Sequence, residues 1–192
     1  GELWRIDVAT GEKAVVTTLL PAIDNLAIRA DGMIFVSNMA DNSIEEVNPE
    51  TGATRLIVKG ALATTGGIAM APDGGVLVAD NFAVRKVNGP GEVETLARMW
   101  ASDMEYASDI AISADGATII VTSFFGGSVQ LRDAATFELK SAIHHLAAPM
   151  TAIDGGNGWL YVAEAALSRI SRVPMAGGEP ESVASEVMGP SA

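Results

Sequence analysis

The amino-acid sequence predicts an all-β fold assembled from repeated four-stranded units, and three observations carry that expectation. Turn glycines recur every 42 residues, at Gly32, Gly74, Gly116 and Gly158, each preceded by Asp or Asn (Asp31, Asp73, Asp115 and Asn157). The segments around them align in one register: NLAIRADGMIFVSN from Asn25, GIAMAPDGGVLVAD from Gly67, DIAISADGATIIVTS from Asp109 and TAIDGGNGWLYVAE from Thr151. No stretch holds a helical period between capping signals, whereas short alternating apolar runs bounded by Gly and Asx recur throughout. Gly fills 20 of 192 positions, so four in phase arise by chance about once in ten thousand.

Each unit opens with two strands, A and B, joined by an Asp-Gly or Asn-Gly hairpin, because such turns need the positive φ that Gly, Asn and Asp reach cheaply. A second pair, C and D, follows in SIEEVNPETGATRLIV from Ser43, AVRKVNGPGEVETLA from Ala83, SVQLRDAATFELKSAI from Ser128 and SRISRVPMAGGEPESVA from Ser168. Four antiparallel strands per repeat of this length is the signature of a propeller blade, which buries its faces only by stacking on neighbours around an axis. The runs Leu26-Ala27-Ile28, Ile68-Ala69-Met70 and Ile110-Ala111-Ile112 suit the crowded innermost strand. The expected whole blades are 24–59, 66–98, 108–145 and 150–185. Residues 1–20 supply the outer strands C and D of a further, incomplete blade, since Leu3–Asp7 and Thr10-Gly11 match Ile44–Val47 and Thr51-Gly52 at an offset of 41. The ring is then expected to be closed by a longer polypeptide or by another chain, because an open array leaves strand edges unpaired.

Composition removes several function classes. With 24 acidic and 12 basic residues the formal charge is −12, which opposes a phosphate-neutralising nucleic-acid surface and a polybasic membrane surface. No apolar run approaches the roughly 18–20 residues that span a bilayer. The absence of Cys excludes disulfides, thiolate metal sites and a Cys nucleophile. A soluble protein in periplasmic or secreted surroundings is the expectation that the charge favours.

The unit GGIAMAPDGGVLVADNFAVRKVNGPGEVETLA resembles the NHL repeat, with its Gly-Ile-Ala, Asp-Gly and Val-Ala-Asp signposts and a basic outer strand. The units from Asn25 and Asp109 resemble, more loosely, YVTN-type and senescence-marker/gluconolactonase propellers. That resemblance implies a ring of six blades and a ligand face formed by the D–A and B–C loops. It spans pure binding modules and metal-dependent lactonases or phosphotriesterases, and fold does not choose between them. It also implies that a divalent cation, calcium for example, would be held at the inner ends of the A strands. The matching slots are Asp24-Asn25, Gly66-Gly67, Ser108-Asp109 and Met150-Thr151, with Asp24, Asn25 and Asp109 as the oxygen ligands. Equally, side chains there can hydrogen-bond the backbone where the chain enters a strand.

Further candidates come from the residues themselves. Asn38, Asp80 and Glu164 recur at the ends of B strands, a periodicity expected of loop-bracing residues; Glu164, longer and acidic, is also a candidate general base. His144 and His145 are the only histidines. As strand neighbours they face opposite ways, so at most one enters a pocket, and His144 is the candidate acid or base. The segment Met99–Ala107 carries Trp100 and Tyr106 among acids, and the next B–C loop carries Phe124 and Phe125. These four aromatics are the expected wall of a site for a small molecule or a protein partner. A binding or scaffold module and a metal-dependent hydrolase, with Glu164 or His144 as base, both remain open on the residues alone.

Overall fold

The structure, a computed structural model, describes residues 1–190. Its strands fall into one hairpin and four four-stranded antiparallel sheets. The hairpin is β1 (Glu2–Ile6) and β2 (Lys13–Thr18). Blade 1 comprises β3 (Ile23–Ile28), β4 (Ile34–Asn38), β5 (Ser43–Val47) and β6 (Thr54–Lys59). Blade 2 comprises β7 (Ile68–Met70), β8 (Val76–Ala79), β9 (Ala83–Gly89) and β10 (Glu92–Arg98). Blade 3 comprises β11 (Asp109–Ile112), β12 (Thr118–Ser123), β13 (Ser128–Asp133) and β14 (Leu139–Ile143). Blade 4 comprises β15 (Pro149–Asp154), β16 (Trp159–Glu164), β17 (Arg169–Pro174) and β18 (Glu181–Ala184).

Within each blade the strands pair in sequence order, and the innermost strands β3, β7, β11 and β15 contact one another in turn. The result is a four-bladed propeller arc. The phased glycines adopt the left-handed backbone that placed them: φ is 89° at Gly32, 90° at Gly74, 72° at Gly116 and 81° at Gly158.

Burial is organised by interface, not around one centre. Leu3 and Leu19 join the hairpin to Val36 and Val47 of blade 1. Phe35, Ile44 and Ile57 of blade 1 pack on Ile68, Val76 and Val78 of blade 2. Leu77, Val84 and Met104 meet Ile110, Ile119 and Phe137 between blades 2 and 3. Ile120, Val129 and Leu131 meet Leu160, Val162 and Val173 between blades 3 and 4. Each blade therefore depends on its immediate neighbours, the nearest-neighbour energetics of repeat proteins. The 42-residue period sets how often a D–A loop and a B–C loop return to the same face, and that face holds the candidate site.

Candidate functional site

In blades 1, 2 and 4 the recurrent residue at the end of the B strand ties the preceding D–A loop to its blade. Asn38 donates to the Leu20 carbonyl at 2.9 Å and accepts from Ala40 N–H at 2.9 Å. Asp80 accepts from Ala63 and Thr64 N–H, both at 2.7 Å, and from Arg85 Nε at 3.0 Å. Glu164 accepts from Ala147 N–H at 2.7 Å, from Arg169 Nε at 2.8 Å and from the Ser171 hydroxyl. Burial pushes the Glu164 carboxyl up, but Arg169, Ser171 and Ala147 together outweigh it and hold it below its ordinary value. With no exposed surface and both oxygens accepting hydrogen bonds, the Glu164 carboxylate is closed to solvent and engaged within its own blade. These bonds tie the loop to the blade, the arrangement that its period leads one to expect of a loop-bracing residue.

The fourth residue in that phase is Thr122, which sequence reading passed over. It is fully buried, and its Oγ1 has no hydrogen-bond partner. In blade 3 the bracing task has moved to β13, whose Ser128, Gln130 and Arg132 alternate onto one face. Gln130 donates to the Asp103 carbonyl at 2.8 Å, Arg132 donates to Asp103 Oδ1 at 2.8 Å, and Ser128 donates to Glu105. All three are buried. They fix the longest D–A loop, residues 99–108, from the adjacent blade.

That fixed loop carries Trp100 and Tyr106 on the face formed by the D–A and B–C loops. Trp100 stacks on Phe82 with ring centroids 5.0 Å apart, and Phe82 meets Tyr106 edge-on at 5.7 Å. Tyr106 meets Phe125 at 4.9 Å, and Phe125 meets Phe124 at 5.1 Å. The structure thus brings the four expected aromatics into one continuous ladder and adds Phe82. The signal for Phe82 was available, since it stands one 42-residue period before Phe124. Trp100 is 77% exposed and Phe125 75%, so the outer end of the ladder and its Phe125 ring are open to solvent.

At its inner end the ladder enters a cleft of about 420 Å³ at the axis, where Tyr106, Phe124 and Phe125 join Asp24, Asn25, Gly67, Ser108, Asp109 and Met150. The entry residues of all four A strands converge there. Gly67 permits the convergence by close approach: a Cβ on it would lie 1.8 Å from Asp109 Oδ1 and 2.9 Å from Asp109 Cα. Burial pushes the Asp24 and Asp109 carboxyls up, and for Asp109 the nearby Asp24 charge adds to the rise against the opposing Thr151 and Ile110 hydrogen bonds. Burial likewise raises the Tyr106 hydroxyl.

As a cage for a hard cation this donor set falls short. It holds two carboxylates and one amide, and the Asn25 Oδ1 already accepts from Leu26 N–H at 2.7 Å, whereas calcium takes six to eight oxygens. Among the described residues no group of three His, Cys, Asp or Glu converges. The three expected ligands meet, but they do not fit a resident divalent ion. His144 does not line the cleft. It is half-exposed, with Nδ1 3.9 Å from Glu105 Oε1.

Asp109 carries a stability consequence. Its folded-state carboxyl is raised above the ordinary 3.8, so the folded chain binds the proton more tightly than the unfolded chain. Ionisation therefore costs stability, and the loss grows as pH rises above that value. Asp109→Asn is expected to raise the melting temperature at pH 7 by about 2–4 °C, the shift that ~1 kcal/mol produces in a chain of this size. The gain should shrink towards pH 3, as calorimetry across that range will show.

Fold and site together define a β-propeller arc with a ring-walled, acid-floored cleft on its loop face. Solved structures of like shape include virginiamycin B lyase from Staphylococcus aureus (TM-score 0.73, 15% identity, covering 95% of this chain and 62% of that one). A streptogramin B lyase matches with TM-score 0.74 at 16% identity, over 96% of this chain and 62% of that one. The nidogen/laminin complex provides a third, with TM-score 0.78 at 14% identity, over 91% of this chain and 68% of the other. This chain therefore spans about three-fifths of the length of the lyases it matches. At these identities the likeness is one of fold. No protein-family model matches the chain, and no curated protein matches it. Among the described residues no helix is long and apolar enough to cross a membrane.

Proposed function

We propose that the chain is a ligand-binding propeller module whose loop face takes a small molecule bearing a flat ring. The observation that carries this reading is the five-ring ladder from Trp100 to Phe124, open to solvent at Trp100 and running into the axial cleft. Rings held at fixed spacing by a buried polar ladder are preorganised, so little ordering entropy opposes stacking on them. Propellers of this shape include lyases and a protein bound to laminin, and the fold itself supports either kind of occupant. A cleft of about 420 Å³ lies in the range of small-molecule sites.

A larger groove of about 620 Å³ lies on the opposite side between blades 2 and 3. Its Lys86 is already paired with Asp73, and Leu77, Leu96 and Phe137 are among its lining residues.

The test is a screen of ring-bearing fragments by ligand-observed NMR, repeated on a Trp100→Ala/Phe125→Ala double variant. Binding to the native chain, weakened about tenfold in the variant with an unchanged melting temperature, is the expected result. Absence of binding at millimolar concentration, or binding indifferent to the double variant, would remove the reading.

A further inference from the structure

We infer that the cleft selects an organic cation: a positively charged nitrogen carried by an apolar or aromatic group, seated against Asp109 and the rings of Tyr106, Phe124 and Phe125. This rests on the ring-binding reading and specifies the ligand's charge.

Four carboxylates in the described structure are at least nine-tenths buried: Glu46, Asp80, Asp109 and Glu164. Three have arginine partners. Glu46 lies 3.1 Å from Arg29 and 2.6 Å from Arg55, Asp80 3.0 Å from Arg85, and Glu164 2.8 Å from Arg169. Asp109 has no cationic partner among the described residues, and it is the one of the four that lines the cleft. A buried carboxylate left without a counter-charge is costly, which is why proteins pair such groups. Here the residue is pressed deeper by design of the backbone, since only a glycine at 67 leaves room for it.

The surroundings extend the same preference. Asp24 adds a second negative charge, and no Lys or Arg lines the cleft. The three rings offer π faces and edges where calcium would demand more oxygens. An ammonium with apolar substituents satisfies both features at once, through charge towards Asp109 and cation–π contact with the rings. An anion meets two uncompensated carboxylates, and a neutral ring leaves Asp109 as uncompensated as before.

The discriminating experiment titrates the whole chain with three probes sharing one ring: benzyltrimethylammonium, benzyl alcohol and benzoate. Calorimetry measures affinity, and tryptophan fluorescence follows the Trp100–Phe82 stack. The cation is expected to bind at least about tenfold more tightly than either other probe, an advantage of about 1.4 kcal/mol. Asp109→Asn, which keeps the side-chain shape, is expected to weaken the cation about tenfold without lowering the melting temperature. Equal affinity for cation and neutral ring overturns the charge assignment while leaving the ring-binding reading standing. Displacement of the cation by millimolar calcium, with a rise in melting temperature from calcium alone, overturns it in favour of an inorganic ion. Failure of all three probes to bind overturns both readings.

Discussion

Glu164→Ala is expected to lower stability by about 3–5 kcal/mol, the usual effect of removing one partner from a buried ion pair. In a chain of this length that corresponds to a melting temperature roughly 10 °C lower. Three donors lose their acceptor together: the Ala147 N–H, the Ser171 hydroxyl and the Arg169 guanidinium. The first of these ties the loop between β14 and β15 to blade 4, so the change loosens the junction as well as the blade. Glu164→Gln keeps one acceptor oxygen and its shape, and should fall between. The pH dependence carries a definite sign. The folded carboxyl sits below its ordinary 4.5, so its contribution is present in full above that value and is lost as pH falls through the folded-state pKa. The Gln variant should therefore show a flatter stability profile on the acid side. Equilibrium urea unfolding at several pH values measures both effects. A loss below about 1 kcal/mol for the Ala variant would place the residue among ordinary surface changes.

Phe137 supports the second large effect. The same turn closes three C–D hairpins: Asp7, Asn48 and Asp133 each accept from two backbone N–H groups two and three residues on. The residue four positions on then donates its N–H back to the first residue's carbonyl. In two of these turns that residue is Gly11 or Gly52, with φ of 75° and 70°. In blade 3 it is Phe137, at φ 61°. A left-handed backbone costs an ordinary residue about 1–2 kcal/mol, and here ring burial offsets it. The ring is 8% exposed, packs into the core between blades 2 and 3, and lies under Arg132 with the guanidinium 4.9 Å from its centroid.

Phe137→Ala removes the ring and keeps the strain, for an expected loss of about 3–5 kcal/mol. Phe137→Gly removes both, and should recover about 1 kcal/mol of that loss. The order in chemical denaturation is thus wild type, then Gly, then Ala. A Gly variant as stable as wild type would mean the ring contributes nothing beyond what its backbone costs.

Much of the architecture was legible because its cause is local. A turn that needs positive φ announces itself as Gly32, Gly74, Gly116 or Gly158, and alternation marks the flanking strands. The brace residues were legible for the same reason, as Asn38, Asp80 and Glu164 share the period. Their chemistry was not legible, because the partners that occupy Glu164 come from a loop and from β17, which meet only after the blade twists. The aromatic site was half-legible. Trp100, Tyr106, Phe124 and Phe125 stood out as exposed-loop residues, whereas Phe82 stayed hidden in a short turn until loop 99–108 was laid across it. His144 drew notice by rarity alone, and rarity does not determine direction. The distinction between Asp109 and its buried counterparts was beyond sequence, for it is defined by an arginine that is absent from its side.

The transfer of the brace in blade 3 from Thr122 to β13 bears on how this chain can change. The groups that hold loop 99–108 in place, Ser128, Gln130 and Arg132, belong to the neighbouring blade and grip Asp103 and Glu105, while the two most exposed rings of the ladder sit outside that grip at 100 and 125. If the rings bind ligand as proposed, mutational libraries confined to those two positions are expected to retune selectivity on an unaltered scaffold, a separation of tasks that lets new specificities arise without a prior search for compensating stability.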